Sequence, residues 1–276
     1  MRYYSIFRRL LLGMWALLFV VLAVPCQQLR GCLVANAENF CNNAILVNAA
    51  KGIETANLVT CAEIAQQSLG HLQPRYAVLS GPSFAADVLR GLPTAVVLAS
   101  ADETLGHGLR QIFSSASFRC YSSTDVMGVE MGGAVKNVMA IAAGVCDGLG
   151  LGHNSRAALI TRGLAEMSRL GVARGAQPHT FMGLSGLGDL TLTCTGDLSR
   201  NRQVGLRLGR GEKLDQITAS LGMVAEGVKT TAAIYDLAKC LHVDAPLTEA
   251  VHSILYGNCD PQAVLHNLMS RRLRDE

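Results

Sequence analysis

Short apolar runs alternate with segments of helical spacing over the first 120 residues of this 276-residue chain. Strands that are buried on both faces read as continuous aliphatic and β-branched runs, and helices connect one such strand to the next. The alternation therefore predicts βαβ units and a mostly parallel sheet with helices on both faces. The predicted strands are 18–24, 44–50, 75–80, 94–100 and 118–122, and the predicted helices between them are 55–69, 84–90 and 101–113.

The pattern changes at about residue 123, after which a period of 3.6 residues predominates and no run reads convincingly as a strand. Met131, Val135 and Val138, for example, fall on one face of a predicted helix. We therefore predict two domains, an α/β domain over 1–122 and a helical domain over 123–276. The predicted helices of the second domain are 131–140, 155–174, 199–209, 214–221, 230–241, 248–256 and 261–271, with glycine-rich loops at 148–152 and 183–188.

The N-terminal segment allows two interpretations. Two arginines precede an uncharged run over 10–25, which resembles a signal peptide. The run is shorter than the roughly 20 apolar residues that a membrane span needs, and no small-residue cleavage pattern follows it. Residues 18–24 also read as a buried strand ended by Pro25, and we favour that interpretation. We expect no membrane span and a cytoplasmic protein, and we leave residues 1–17 unplaced.

Composition narrows the class of protein. Half of the residues are hydrophobic and 16% are charged, which is typical of a folded enzyme and not of a disordered chain. A net charge of +3 gives no reason to expect a nucleic-acid partner. The nine cysteines form no C-x-x-C pair and are odd in number, which predicts reduced, mostly buried thiols and no metal site.

The glycine fingerprint of dinucleotide-binding proteins is not found among these 276 residues. In that fingerprint, G-x-G-x-x-G lets the backbone approach a pyrophosphate at the start of a helix. The glycine-rich segments 148–152 and 183–188 have other spacings and lie among predicted helices. Motif reasoning alone therefore does not predict a nicotinamide cofactor.

Eight motifs taken together resemble a known family. They are 22–25 (LAVP), 50–54 (AKGIE), 79–85 (LSGPSFA), 91–95 (GLPTA), 132–138 (GGAVKNV), 161–167 (TRGLAEM), 186–190 (GLGDL) and 194–201 (CTGDLSRN). In this order and spacing the chain resembles bacterial NAD(P)-dependent glycerol-3-phosphate dehydrogenase from about residue 18 to its C-terminus. The family's first strand, glycine loop and following strands have no counterpart here. The resemblance implies an incomplete Rossmann-like parallel sheet, an all-helical C-terminal domain, and NAD or NADP as cofactor.

Lys136 is the residue that the resemblance implies as the acid/base at the C2 oxygen of the substrate. Oxidation of an alcohol releases a proton as the hydride leaves, and a lysine can accept it if burial or nearby cations lower its pKa. The alternative is an exposed helix lysine. The small neighbours Gly132, Gly133 and Ala134 argue against that alternative.

Lys51 follows a predicted strand, at the carboxyl edge where parallel sheets bind ligands. The resemblance implies that it contacts both substrate and cofactor, and a solvated loop lysine is the alternative. Gly81 and Ser83 lie in a strand-to-helix turn whose N–H groups and hydroxyl can hold a substrate oxygen or phosphate. The same turn can also simply cap the next helix. The resemblance adds Ala85 as a cofactor contact.

Ser199, Arg200 and Asn201 place a hydroxyl, a guanidinium and an amide at the start of a predicted helix. Together these groups suit a phosphate, and the helix dipole favours the anion. The alternative is an ordinary N-cap followed by solvated polar residues. The resemblance implies substrate contacts for all three residues and a cofactor contact for Arg200.

Three further residues complete the set that the resemblance implies. Asp189 is a substrate-hydroxyl contact that can also pair with Lys136 and tune its pKa, with a loop or capping aspartate as the alternative. Val224 and Glu226 are cofactor contacts.

The preferred function is therefore an oxidoreductase that interconverts sn-glycerol 3-phosphate and dihydroxyacetone phosphate with NAD(P)H, for glycerophospholipid synthesis. Its partner is the small-molecule substrate, and a homodimer is left open. The alternative is a truncated, catalytically inactive homologue that cannot bind the cofactor.

Overall fold

The structure, a computed structural model, describes residues 19–221 and 225–272. Within these residues five strands form one sheet. They are β1 (Val20–Leu22), β2 (Ile45–Asn48), β3 (Arg75–Ser80), β4 (Thr94–Ala99) and β5 (Phe118–Ser123). All five lie within the strands predicted from the apolar runs, give or take one residue.

The helices fall into two groups, one among the strands and one after them. Among the strands are α1 (Cys26–Ala35), α2 (Cys61–Leu69), α3 (Ala85–Leu89) and α4 (Glu103–Phe113). After them come α5 (Val126–Gly148), α6 (Gly152–Ala173), α7 (Asp189–Thr195), α8 (Arg200–Gly209), α9 (Leu214–Leu221), α10 (Glu226–Cys240), α11 (Pro246–Tyr256) and α12 (Pro261–Met269). A 3₁₀ turn (Pro178–Met182) and a π turn (Leu184–Gly188) lead into α7.

The sheet has the order β1-β2-β3-β4-β5 and is mostly parallel, as predicted. The pairs β1/β2, β2/β3 and β4/β5 are parallel, and β3/β4 is antiparallel. A parallel connection between neighbouring strands needs a crossover, usually a full helix. The connection from β3 to β4 contains only the five-residue α3, so β4 returns antiparallel to β3.

Neighbouring residues of the central strands point to opposite faces of the sheet and pack against different helices. On β2, Leu46 belongs to the core that α1 and α2 cover, whereas Val47 packs in the core that contains α4. On β3, Val78 packs in the core with Val129 of α5. Burial on both faces explains why these strands read as continuous apolar runs.

Helix α1 was not predicted. The segment reads as polar, but its buried side chains Cys26, Leu29 and Leu33 are spaced three and four residues apart, which is the spacing of one helix face. The charged and glutamine side chains between them conceal this narrow stripe.

Further predictions also differ from the structure. The helix predicted over 131–140 extends over Val126–Gly148. The helix predicted over 55–69 begins at Cys61, because Thr60 caps it and Glu63 completes a capping box with the backbone N–H of Thr60. The T-x-x-E pattern of this box was present in the sequence. Helix α7 was not predicted, since its seven residues are too few to show a period.

Helix α5 lies at the centre of the second group, and residues Gly128–Val145 along it are all buried. By length and composition it is the one helix in the described residues that could cross a membrane, yet 94% of its most apolar window is buried inside the protein. Such burial is typical of a core helix. Its backbone comes very close to α8: a Cβ on Gly205 would lie 1.9 Å from the Ile141 oxygen, and one on Gly144 would lie 2.0 Å from the Arg202 oxygen.

All nine cysteines are free in the structure. The prediction that they are mostly buried was wrong in part. Four are buried, two are half-buried and three are exposed.

We predict that Gly205→Ala lowers the free energy of unfolding by about 1–3 kcal/mol, because the new methyl group would overlap the backbone of α5. Gly31→Ala is the matched control, since no atom lies within 4 Å of the added Cβ in α1. The better helix propensity of alanine should stabilise that variant by up to about 1 kcal/mol. Urea unfolding measures both changes, and equal stability of the Gly205→Ala variant and the parent would contradict the close packing of α5 and α8.

Candidate active site

Lys136 lies in the middle of α5 and is 7% exposed. Gly132 and Gly133, on the turn of α5 before Lys136, make room for the groups around the lysine. A Cβ on Gly132 would lie 2.6 Å from the Ser185 oxygen, and one on Gly133 would lie 3.3 Å from the Ser80 hydroxyl. The turn that precedes α7 and the end of β3 can therefore approach the lysine closely.

Asp189, the first residue of α7, binds two ammonium groups at once. Lys136 Nζ donates to its Oδ1 at 2.5 Å, and Lys51 Nζ donates to its Oδ2 at 2.6 Å. Asp189 is 1% exposed, so both ion pairs are shielded from water. Lys136 Nζ also donates to Thr193 Oγ1 at 3.1 Å, one turn further along α7.

The electrostatics of this cluster bring the pKa of Lys136 down to neutral pH and favour a charged carboxylate on Asp189. Burial and the nearby Lys51 ammonium, against the opposing effect of Asp189, together lower the pKa of Lys136 to about 7. Burial raises the pKa of Asp189, but the Lys51 and Lys136 ammonium groups outweigh it and the net pKa is lowered. An amine with a pKa near 7 can both accept and donate a proton at neutral pH.

Lys51 lies immediately beyond the carboxyl end of β2, as predicted, and reaches across to the end of β3. Besides Asp189 it donates to the backbone oxygen of Gly81 at 3.3 Å. As an ammonium group, each of the two lysines uses two of its three N–H donors on described protein groups and has one left for a ligand.

Gly81 has a φ of +140°, a conformation that favours glycine, and its Cβ would lie 3.0 Å from the backbone of Val96. The Ser83 hydroxyl donates to the Gly81 oxygen at 3.1 Å. Ser83 does not cap α3, whose N-cap is Phe84 without a side-chain hydrogen bond. Ala85 begins α3 and is exposed, and no hydrogen bond connects it to the Asp189 cluster.

Ser199 is the N-cap of α8, and its hydroxyl accepts from the Arg202 N–H at 3.3 Å. Arg200 is exposed and makes no hydrogen bond or ion pair with the described part of the chain. Asn201 acts as a brace. Its Nδ2 donates to Asn137 Oδ1 at 3.0 Å, and its Oδ1 accepts from the Gly227 N–H at 3.0 Å.

The bond between Asn201 and Gly227 joins the beginnings of α8 and α10 and brings Glu226 towards the cluster. Burial raises the pKa of Glu226, although the Cys26 N–H bonds to its carboxyl group and lowers that pKa. The ammonium groups of Lys136 and Lys51 and the Arg200 guanidinium also act on it. Val224 lies outside the described residues.

Three residues of this site were not among the predicted site residues. Thr193 bonds Lys136, Asn137 bonds Asn201, and the buried Ser80 hydroxyl has no hydrogen-bond partner within residues 19–221 and 225–272. Only Thr193 carried a local signal, because it lies four residues after Asp189 and so on the same face of a helix. The other two depend on contacts between distant segments.

Comparison with known proteins identifies the family. Residues 15–106 match the family described as NAD-dependent glycerol-3-phosphate dehydrogenase N-terminus. Residues 125–266 match the family described as NAD-dependent glycerol-3-phosphate dehydrogenase C-terminus. Glycerol-3-phosphate dehydrogenase [NAD(P)+] of Desulfovibrio desulfuricans is 76% identical over 93% of this chain and 77% of its own length. The enzyme of that name from Nitratidesulfovibrio vulgaris strain Hildenborough is 61% identical over 92% of this chain and 77% of its own length.

A solved structure supports the same assignment. The crystal structure of glycerol-3-phosphate dehydrogenase from Coxiella burnetii is 40% identical and superposes with a TM-score of 0.87, over 92% of this chain and 76% of that one. The sequence resemblance, the mostly parallel sheet with its helical second part and these matches agree. The chain belongs to the NAD-dependent glycerol-3-phosphate dehydrogenase family.

Proposed function

We propose that this chain interconverts sn-glycerol 3-phosphate and dihydroxyacetone phosphate with NAD or NADP, and that Lys136 is its acid/base. The observation that carries the proposal is the buried lysine with a pKa of about 7, hydrogen-bonded to Asp189 beside a second ammonium group. Membership of the family supports the substrate and the cofactor.

Some of the residues present fit the nicotinamide end of the cofactor. The buried Ser80 hydroxyl lacks a partner in the described chain and lies at the carboxyl end of β3, where parallel sheets bind such ligands. Lys51 lines the same cleft as Ser80, and the charges of Lys51 and Arg200 act on the carboxyl group of Glu226. We assign the cofactor to these residues, with Ala85 and Val224 as further contacts from the resemblance. The cofactor, when bound, supplies the acceptor or donor of the hydride at substrate C2.

Lys136 transfers the proton at the C2 oxygen. In oxidation, its neutral amine accepts the hydroxyl proton as the alcohol becomes a ketone. In reduction, its ammonium group polarises the ketone and then protonates the alkoxide. Asp189 holds the amine in place and orients the substrate hydroxyl, and Lys51 with Gly81 and Ser83 lines the same edge of the site.

The substrate phosphate is assigned to the beginning of α8. Arg200 is exposed and unpaired within the described ranges, and the first N–H groups of a helix lack intrahelical acceptors. A phosphate there gains both charge-assisted hydrogen bonds and the helix dipole. Ser199 and Asn201 complete this group, since Asn201 Nδ2 has a second N–H beyond the one given to Asn137.

The proposal also includes the metabolic role, the location, the oligomeric state and the division into domains. A role in glycerophospholipid synthesis, a cytoplasmic location and a homodimer are consistent with the family. The division into domains at residue 122 agrees with the end of the sheet at Ser123 and the start of α5 at Val126.

The first test is turnover. The purified chain, mixed with dihydroxyacetone phosphate and NADH or NADPH, should consume the reduced nicotinamide. Absence of both turnover and cofactor binding would refute the proposal for this chain and favour the catalytically inactive alternative.

Lys136→Met should lower kcat by about a hundredfold or more, because it removes the acid/base and retains the length of the side chain. Binding of glycerol 3-phosphate, measured by calorimetry, should change much less. Lys213→Met, which alters an exposed lysine on the loop before α9, is the control and should keep full activity. Near-normal turnover of the Lys136→Met variant would rule out the assigned role.

Arg200→Gln should raise KM for dihydroxyacetone phosphate by roughly ten- to a hundredfold, because this is the loss of affinity expected when a hydrogen bond between charged groups is removed. With NADH or NADPH at saturating concentration, reduction of dihydroxyacetone, which has no phosphate, should be affected much less by the substitution. Arg210→Gln changes an exposed arginine at the other end of α8 and serves as the control. Equal losses with the two substrates would place the phosphate elsewhere.

A further inference from the structure

Glu130 is a buried carboxylate that the proposed chemistry does not use. It lies on α5, six residues before Lys136, and is 6% exposed. Burial raises its pKa, and in the described part of the chain no lysine, arginine or histidine bonds it. A buried acid without a cation is costly unless hydrogen-bond donors surround it, so its contacts need an explanation.

Its partners are donors from two elements of the first domain. The Ala62 N–H, in the first turn of α2, donates to both carboxylate oxygens at 3.2 and 3.1 Å. The Tyr76 hydroxyl on β3 donates to Oε1 at 2.6 Å. The positive end of the α2 dipole adds to these bonds. Glu130 therefore connects the central helix of the second group to the sheet.

A third contact leads to Lys51. Asn48, fully buried at the end of β2, places its Nδ2 3.5 Å from Glu130 Oε1. The same side chain holds both backbone groups of Ala50: its Nδ2 donates to the Ala50 oxygen and its Oδ1 accepts from the Ala50 N–H, each at 3.0 Å. Ala50 directly precedes Lys51, so the amide of Asn48 fixes the turn from which Lys51 extends.

A narrow cleft, too tight to hold a water molecule, shows how these groups are arranged. Glu130 lines it together with Lys51, Ala50, Ser80 and Gly133. The carboxylate and the Lys51 turn therefore face the same internal space.

We propose that Glu130 is a positioning residue: through Asn48 it holds the turn over 48–51 so that Lys51 Nζ meets Asp189. The inference rests on the proposed function, because Lys51 matters only if this site binds the substrate. Helix α5 then fixes the positions of both ammonium groups. It carries Lys136 itself and holds Lys51 through Glu130. Glu130→Gln keeps the shape of the side chain but removes the charge that strengthens the bonds from Asn48, Tyr76 and Ala62, and it turns an NH₂ group towards the Ala62 N–H.

Hydrogen–deuterium exchange tests the positioning without any turnover. In Glu130→Gln and in Asn48→Ala, the peptide that covers 48–52 should exchange about tenfold faster than in the parent, as expected for one lost hydrogen bond. Glu63→Gln is the matched control, because it makes the same change in the first turn of α2, the turn that bonds Glu130, at a side chain that itself bonds Thr60 and Arg174. An unchanged rate in Glu130→Gln, or the same increase in Glu63→Gln, would overturn the proposal.

Kinetics test the link to Lys51. Glu130→Gln should raise KM for dihydroxyacetone phosphate about tenfold and change kcat by less than about threefold, because binding is lost while Lys136 stays in place. In a Lys51→Met background the same substitution should add almost nothing, since a residue that acts through Lys51 has no further effect without it. Additive effects would overturn the proposal. A parent chain without turnover would refute the proposed function, and the exchange rates would still decide the role of Glu130.

Discussion

The carboxylate of Asp189, shared between Lys51 and Lys136, is the interaction on which the site depends. One anion between two cations allows both ammonium groups to lie in a buried space, where each alone would carry a heavy desolvation cost. It also joins the three segments that build the site: the loop after β2, the middle of α5 and the first turn of α7. Without it, the second lysine would repel the first and the pocket would lose its geometry.

Close packing around α5 makes this arrangement possible. Glycines along the helix let the π turn, the end of β3 and α8 approach its backbone, and the Gly144–Gly205 region lets α8 lie almost in contact with it. The beginning of α8, which carries Ser199 and Arg200, is thereby placed beside the lysine. The packing that stabilises the second group of helices and the position of the phosphate-binding residues are thus set by the same contacts.

The sequence predicted what local patterns can encode. Buried strands were found because burial on both faces makes them uniformly apolar, and Lys136 was judged buried from its small neighbours. Helix α1 was missed because only a narrow stripe, Cys26, Leu29 and Leu33, faces the core. Contacts such as Lys51–Asp189, 138 residues apart, have no local signature. The family resemblance implied a substrate contact for each of these residues but not the bond between them. The brace of Asn201 and the bonds of Glu130 were not predicted for the same reason.

The charge state of Lys136 is the central claim, and nuclear magnetic resonance of the lysine side chains measures it directly. In a chain labelled with ¹³C-lysine, the signal that disappears in Lys136→Arg belongs to Lys136. Burial and the Lys51 ammonium disfavour the charged form, so the amine should be protonated below and neutral above a midpoint of about 7. A midpoint near 10.5, the ordinary value, would contradict the account.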